Sequence, residues 1–485
     1  MLKSLNMPKF LSLLFFVEMW ERFSYYGMRA LLVVFLVSKL GFTDPQAYAV
    51  YSLFAALGYV GPLLGGLFAD RLMGFRKMVF VGAITIVCGH ATMALMHVHD
   101  FCLYLGLSLI AVGTAFFKGN ITNLLGCGYS AKDPERDRAF TLFYVSVNLG
   151  SVIAGLLCGW VAKAYGEQYG FGLAGIGMTL GLFLFVRHQD VLGTHGLPPK
   201  SKQPLFKVPL NPTFWVFCLG LILALAASFM LQHAETFSKL LTYFGVVILA
   251  VLATVTMKVQ KHERIHLIIL FTLMFFLMAF FAVEMQLGSL FNLFALRNVD
   301  NSIFGIEIPS TWSQSINPFS IMVFGPFLSG FFVRKGPKWS MIRFSGALLL
   351  MVLCFVMLYL GCYQVNEKAQ VPYFYLFVGI SLMGIGELFI APLLQSMCTI
   401  LAPERIRGFM MGVLMMSMAY ANLFGVVISK FMSVPSDAGS QTDPFVSLHI
   451  YQDGFFTLGV INLVLLILFY AIYPWVNKAV QKALR

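Results

Sequence analysis

Apolar runs of twenty to thirty residues, broken by short polar turns, follow one another along nearly the whole chain of 485 residues. A helix needs about 20 predominantly apolar residues to cross the hydrocarbon of a bilayer. The runs therefore predict twelve to fourteen membrane helices. The fourteen-helix reading places them at roughly 10–40, 46–72, 77–98, 102–127, 139–164, 168–187, 213–232, 238–258, 267–296, 314–334, 340–363, 373–400, 407–432 and 451–475. The expected fold class is an all-α membrane protein.

Composition points the same way: 59% of the residues are hydrophobic and 11% charged, and the mean hydropathy of +0.82 is far from that of a soluble domain. The first span carries Glu and Arg in its middle and no small-residue cleavage site follows it, so it is read as a retained helix rather than a signal peptide. A net charge of +12 raises the possibility of nucleic acid, but the placement of the charges removes it. With the N-terminus cytoplasmic, 24 of the 33 Lys and Arg fall in inside segments, 6 in outside segments, and Arg22, Arg29 and Lys118 within the bilayer. That asymmetry is orientation by the positive-inside rule, and it puts both termini in the cytoplasm.

Eight cysteines are scattered without a CxxC pair or a histidine at metal-ligand spacing, and the nine histidines lie mainly in loops or at helix ends. Neither a zinc site nor a Ser/His/Asp constellation is suggested. No enzyme, metal or cofactor is expected.

Four motif pairs recur in the same order along the two halves. Val17-Glu18-Met19 answers Val283-Glu284-Met285, and Gly61-Pro62-Leu63-Leu64-Gly65-Gly66-Leu67-Phe68 answers Gly325-Pro326-Phe327-Leu328-Ser329-Gly330-Phe331-Phe332. Gly113 before Lys118 answers Gly386 beside Glu387, and Asn148-Leu149 answers Asn422-Leu423. Ordered repetition of this kind indicates a duplicated six-helix bundle. The expected domains are 1–188 and 266–485, with a linker and an inserted helix pair at 189–265 that packs outside the transport core. The insertion opens with the polar, Pro-containing run Gly193-Thr194-His195-Gly196-Leu197-Pro198-Pro199-Lys200.

Ionisable residues within spans are expensive and so are functional candidates. There are seven: Glu18, Glu21, Arg22 and Arg29 in the first span, then Lys118, Glu284 and Glu387. At 100° per residue, positions 18, 21, 22, 25 and 29 share one helix face, and Glu18 can pair with Arg22 one turn on. A charged stripe of this kind must line protein or water, not lipid.

The run Gly66 to Lys77, GLFADRLMGFRK, resembles the loop motif of the major facilitator superfamily, and Gly330 to Lys338 echoes it weakly in the second half. The resemblance implies two bundles that rock around a central cavity, with Asp70 and Arg71 in a cytoplasmic gate loop. Closer still, EMWERFSYYG from Glu18 to Gly27 resembles the ExxERFxYYG signature of the proton-dependent oligopeptide transporter family. Phe143 to Ser151, FYVSVNLGS, resembles that family's second signature, and Ser315-Ile316-Asn317-Pro318-Phe319 and Gly384-Ile385-Gly386-Glu387-Leu388 also match. The segments Ala295-Leu296-Arg297-Asn298-Val299-Asp300 and Thr442-Asp443-Pro444 are similar to those of bacterial members for dipeptides and tripeptides, which also carry the inserted pair.

The resemblance implies that Arg29 and Lys118 hold a peptide carboxylate, that Tyr25, Tyr26 and Tyr59 line the pocket, and that Glu387 takes the ammonium. Asn148 and Asn317 would bond the peptide backbone and termini, while Glu18, Glu21, Arg22, Lys118 and Glu284 would couple protons. The chain departs from relatives at Ser52, where animal members place histidine, at Glu284-Met285-Gln286-Leu287-Gly288-Ser289, with one carboxylate where many have two, and at Leu414, where some have tryptophan.

The expected function is a monomeric symporter of the bacterial inner membrane, driven by the proton gradient and surrounded by lipid. Its cargo would be dipeptides and tripeptides. A proton-coupled drug antiporter of the same superfamily is the nearest alternative, but it would not need opposite charges in opposite bundles. A lipid-modifying membrane enzyme would need a nucleophile with a base, or a metal cluster.

Overall fold

The computed structural model describes residues 7–96, 98–130, 133, 135–198, 212–303, 305–335, 339–435 and 443–483. Pro199 and Lys200 of the linker, Lys338 at the end of the loop echo, and Thr442 lie outside the described residues.

The described chain is helical nearly throughout. In order the helices are α1 (Lys9–Ser38), α2 (Asp44–Val60), α3 (Pro62–Phe68), α4 (Phe75–Met93), α5 (Phe101–Cys127), α6 (Glu135–Tyr165), α7 (Glu167–Arg187) and α8 (Pro212–Gln232). They continue as α9 (Ala234–Lys258), α10 (Lys261–Glu284), α11 (Leu290–Asn298), α12 (Ser313–Lys335), α13 (Ser340–Gly361), α14 (Tyr373–Leu401), α15 (Arg407–Phe431) and α16 (Pro444–Ala483). Among the described residues, eleven helical segments are long and apolar enough to cross a membrane by length and composition. The charged stripe takes α1 out of that count, and Arg76, Lys77 and His90 hold α4 just outside it.

Two expected spans are interrupted. The run 46–72 loses a ladder hydrogen bond at Pro62, which has no N–H, while Gly61 keeps helical dihedrals, and α3 ends in a π-helical turn, Ala69–Met73. The run 267–296 breaks into α10 and α11 at a tight turn, Met285–Gly288. Side chains satisfy the carbonyls freed there: Tyr51 donates to Met285 O at 3.1 Å, Gln286 to Ala282 O at 3.1 Å, and Gln314 to Leu287 O.

The chain divides into two compact units. Unit 1 holds the chain up to Leu31 and Leu53–Ala234, and unit 2 holds Leu32–Ser52 and Glu235–Arg485. The helix pair read as an insertion is shared, α8 belonging to unit 1 and α9 to unit 2. Within unit 1, Val216 and Ala224 of α8 pack with Val112 and Phe116 of α5 and Met78 and Val81 of α4.

The most extensive helix packing in unit 1 joins α4 to α5. A Cβ on Gly82 would lie 2.8 Å from Gly113 O, and one on Gly89 would lie 2.8 Å from Gly106 O. Two glycines seven residues apart on each helix thus let antiparallel backbones touch, which is how membrane helices gain dispersion energy without a hydrophobic driving force.

Unit 2 is built on aromatic contacts among α10, α13 and α16, such as Phe344 stacked on Phe469 at 5.0 Å. Short strands join its connections: Val299–Asp300 pairs in parallel with Val371–Pro372, and Ser302–Ile303 pairs with Ile306–Glu307. The segment around Asn298 meets the start of α16, Asn298 donating to Pro444 O at 2.8 Å and accepting from Ser447 at 2.7 Å.

Candidate functional site

In unit 1 the stripe on α1 forms as its spacing predicts. Arg22 Nε lies 3.2 Å from Glu18 Oε1, and its Nη2 pairs with Glu21. All three are sealed from water, at 3%, 1% and 2% exposure for Glu18, Glu21 and Arg22. One guanidinium therefore serves two carboxylates, which leaves the trio one negative charge in excess when both are ionised. Lys118 on α5 is a further cation within electrostatic range of both glutamates, although among the described residues neither glutamate is ion-paired with it.

Aromatic rings support each cation. The Arg22 guanidinium lies 5.5 Å from the centre of the Tyr25 ring, Arg29 stands 5.5 Å from Tyr26, and Lys118 Nζ sits 4.7 Å from the Tyr59 ring on α2. Such contacts hold a positive charge against an apolar wall. Tyr25 is fixed in turn, edge-on to Tyr26 and stacked on Phe54 at 5.9 Å.

Asn148 lies on α6, where its amide donates to Tyr144 O of its own helix at 3.0 Å. Gly150, two residues on, explains why the second signature carries a glycine. A Cβ there would meet Met19 O and sit 3.0 Å from Arg22 Cβ, so α6 seats directly against the turn of α1 that bears the arginine.

In unit 2 the remaining candidates come together. Asn317 on α12 donates toward Glu284 Oε1 at 3.3 Å and toward Glu387 Oε2 of α14 at 3.4 Å. Glu284 is the last residue of α10, at the edge of the helix break. A single amide thus bridges the two carboxylates, a relationship with no signature in the sequence.

Asp70 and Arg71 are exposed on the π-helical turn. The contacts of that motif are made instead by Arg76, which reading by pattern passed over. Its Nη2 donates to Gln189 O at 2.5 Å, its Nη1 to Gly193 O at 3.2 Å, and its backbone N–H to Gly196 O at 3.1 Å. The first residues of the linker are thereby strapped to the start of α4.

Two helical units, each with its own ionisable cluster, define a secondary transporter of the major facilitator fold. The model of the POT family matches residues 76–444. The chain is 32% identical over 484 residues to dipeptide and tripeptide permease A of Erwinia pyrifoliae, covering 99% of this chain and 96% of that one. It is 30% identical to dipeptide and tripeptide permease A of Escherichia coli K12, covering 99% of this chain and 95% of that one. Among solved structures it superimposes with a TM-score of 0.85, at 28% identity and 98% and 96% coverage, on a mutant peptide transporter POT in complex with alafosfalin. A POT family transporter in complex with 5-aminolevulinic acid gives 0.83 at 28% identity, with 97% of each chain covered. The chain belongs to the POT family.

Proposed function

We propose that the protein is a proton-coupled symporter that imports dipeptides and tripeptides across a bacterial inner membrane, acting as a monomer with both termini in the cytoplasm. The observation that carries this reading is the sorting of charge. Unit 1 holds Arg29 and Lys118 against aromatic rings, and unit 2 holds Glu284 and Glu387 on one amide. A short peptide is a zwitterion, and a cationic subsite with an anionic one matches its two ends. Arg29 and Lys118 take the carboxylate, Glu387 takes the ammonium, and Tyr25, Tyr26, Tyr59, Asn148 and Asn317 line the site.

Coupling follows from the charge count around Arg22. When the peptide carboxylate engages Lys118, Glu18 and Glu21 are left with Arg22 alone, and a proton restores the balance. Each reactant thus favours the other, as linkage requires. An inward proton releases about 2.3 kcal/mol per 100 mV and about 1.4 kcal/mol per unit of pH gradient, enough for concentrative uptake.

The test is uptake of radiolabelled alanylalanine into proteoliposomes with and without an imposed proton gradient. Accumulation above the outside concentration only with the gradient supports the reading, and equal uptake in both removes proton coupling. The neighbour bound to 5-aminolevulinic acid motivates a second arm, since that molecule also carries one amine and one carboxylate. Competition by 5-aminolevulinic acid but not by dipeptides would shift the cargo to small amino acids.

A further inference from the structure

Behind the charged stripe of α1 lies a polar contact that the transport scheme does not use. Ser24 Oγ and His90 Nε2 are 2.6 Å apart, joining α1 to α4. Both are buried, Ser24 completely, and His90 Nδ1 finds no hydrogen-bond partner among the described residues. By helical projection Ser24 falls roughly 115° from the centre of the stripe. Among the described residues its hydroxyl bonds to His90 and to none of the carboxylates of the stripe.

The contacts between α1 and α7 near this pair are apolar. Phe23 packs against Gly177 of α7 and Trp20 against Gly181. The histidine itself needs a third glycine, since a Cβ on Gly175 would fall 2.9 Å from His90 Cβ. Three helices of unit 1 thus meet at one imidazole. Apolar packing resists separation of helices but has no direction, so it restrains the rotation of α1 about its own axis weakly. A hydrogen bond has direction.

We propose that Ser24 and His90 are positioning residues, whose hydrogen bond fixes the rotation of α1 and so aims Glu18, Glu21, Arg22, Tyr25 and Arg29 together. Side-chain tips on a helix stand roughly 5–6 Å from its axis, so a turn of about 20° moves the whole stripe by about 2 Å. A binding constellation must be held within about 0.5 Å to work. One bond off the stripe therefore governs five side chains on it.

The inference rests on the proposed reading of Arg29 as a carboxylate partner, and the experiment separates the two. Competition by alanylalanine and by its C-terminal amide is measured against labelled alanylalanine for wild type, Ser24→Ala, His90→Leu, His90→Gln and the double variant Ser24→Ala/His90→Leu. If the pin aims Arg29, the preference for the free carboxylate falls about threefold or more in Ser24→Ala and in His90→Leu. The double variant is no worse than the worse single one, and His90→Gln, which keeps a nitrogen near the place of Nε2, recovers most of the preference. A residue that only stabilised the fold would weaken both competitors equally. A preference unchanged in Ser24→Ala, or effects that multiply in the double variant, would overturn the proposal. Should wild type itself show no preference for the carboxylate, the reading of Arg29 fails, and the pin is then decided by KM alone: equal rises in single and double variants support it, multiplied rises remove it.

Discussion

Arg297 holds Asp44 in a two-pronged grip, Nη1 to Oδ2 at 2.6 Å and Nη2 to Oδ1 at 2.7 Å. Asp44 opens α2 and is wholly buried, and its Oδ2 also accepts from Val434 N–H at 3.1 Å. Arg297 lies in the last turn of α11, retains some exposure, and reaches Tyr451 as well. The grip therefore gathers the start of α2, the end of α11 and the approach to α16 within unit 2.

Removing one partner of a buried pair leaves the other uncompensated, at about 3–5 kcal/mol. Arg297→Ala strands a buried carboxylate, whereas Asp44→Asn leaves a guanidinium that can still reach water. Thermal unfolding in detergent is expected to show Arg297→Ala far less stable than Asp44→Asn, with Asp44→Asn/Arg297→Ala recovering part of the loss. Arg297→Lys should not rescue, since an ammonium cannot reproduce the fork. Equal stability of Arg297→Ala and Asp44→Asn would mean the charge is not what matters.

Much of this was legible along the chain, and the part that was not has a common cause. The stripe on α1 could be read because helical periodicity is local, and Glu18 to Arg22 is a one-turn pair. The glutamates and Lys118 were candidates because apolar spans make charges conspicuous. The break at Met285–Gly288 could not be read, since its carbonyl caps come from Tyr51, Gln314 and Gln286, two of them distant in sequence. Arg76 looked like one more cytoplasmic cation, because its partners are backbone carbonyls more than a hundred residues away. Backbone acceptors leave no residue type behind. The Asn317 bridge was hidden for a related reason: an asparagine in a span announces a hydrogen bond but not with whom.

The glycine contact between α4 and α5 carries a second prediction. A Cβ on Gly113 would come 2.6 Å from Ile86 Cγ1 and 2.8 Å from Gly82 O, and a backbone oxygen cannot swing aside. Overpacking of this kind costs about 1–3 kcal/mol. Gly113→Val should lower the unfolding temperature clearly. Gly172→Ala on α7, where nothing lies within 4 Å, should leave it unchanged or raise it, as glycine is a poor helix former. If both variants unfold alike, the close approach of α4 and α5 is not contributing.

Asn317 offers a test through its own chemistry. Asn317→Asp puts a third carboxylate beside Glu284 and Glu387, and the ionised form can only accept. Protonated, the same side chain regains one donor and the neutral charge of asparagine. Transport by Asn317→Asp should therefore be poor at pH 7.5 and recover as the pH falls to 5.5, relative to wild type at each pH. Asn317→Leu has no proton to regain, so its deficit should not depend on pH. A flat ratio for Asn317→Asp would show that the bridge to the two glutamates plays no part in transport.

The last prediction concerns Lys118 and the excess negative charge around Arg22. Glu18 and Glu21 compete with the peptide carboxylate for the cations of unit 1. As pH falls and a glutamate takes up a proton, Lys118 loses a partner inside the protein and becomes available to the peptide. Peptide affinity in wild type should accordingly rise from pH 7.5 to 5.5. The slope depends on the shared cation: with Lys118→Ala, protonating a glutamate frees nothing that the carboxylate can use except through Arg29, which Tyr26 supports independently. Binding should then be weaker at every pH and much less sensitive to it. Tyr59→Phe separates charge from support, because it keeps the ring that faces Lys118 Nζ at 4.7 Å and should keep the wild-type slope. Measuring dipeptide affinity in detergent at pH 5.5, 6.5 and 7.5 for the three proteins decides the matter, and a Lys118→Ala slope equal to that of wild type would take the lysine out of the coupling.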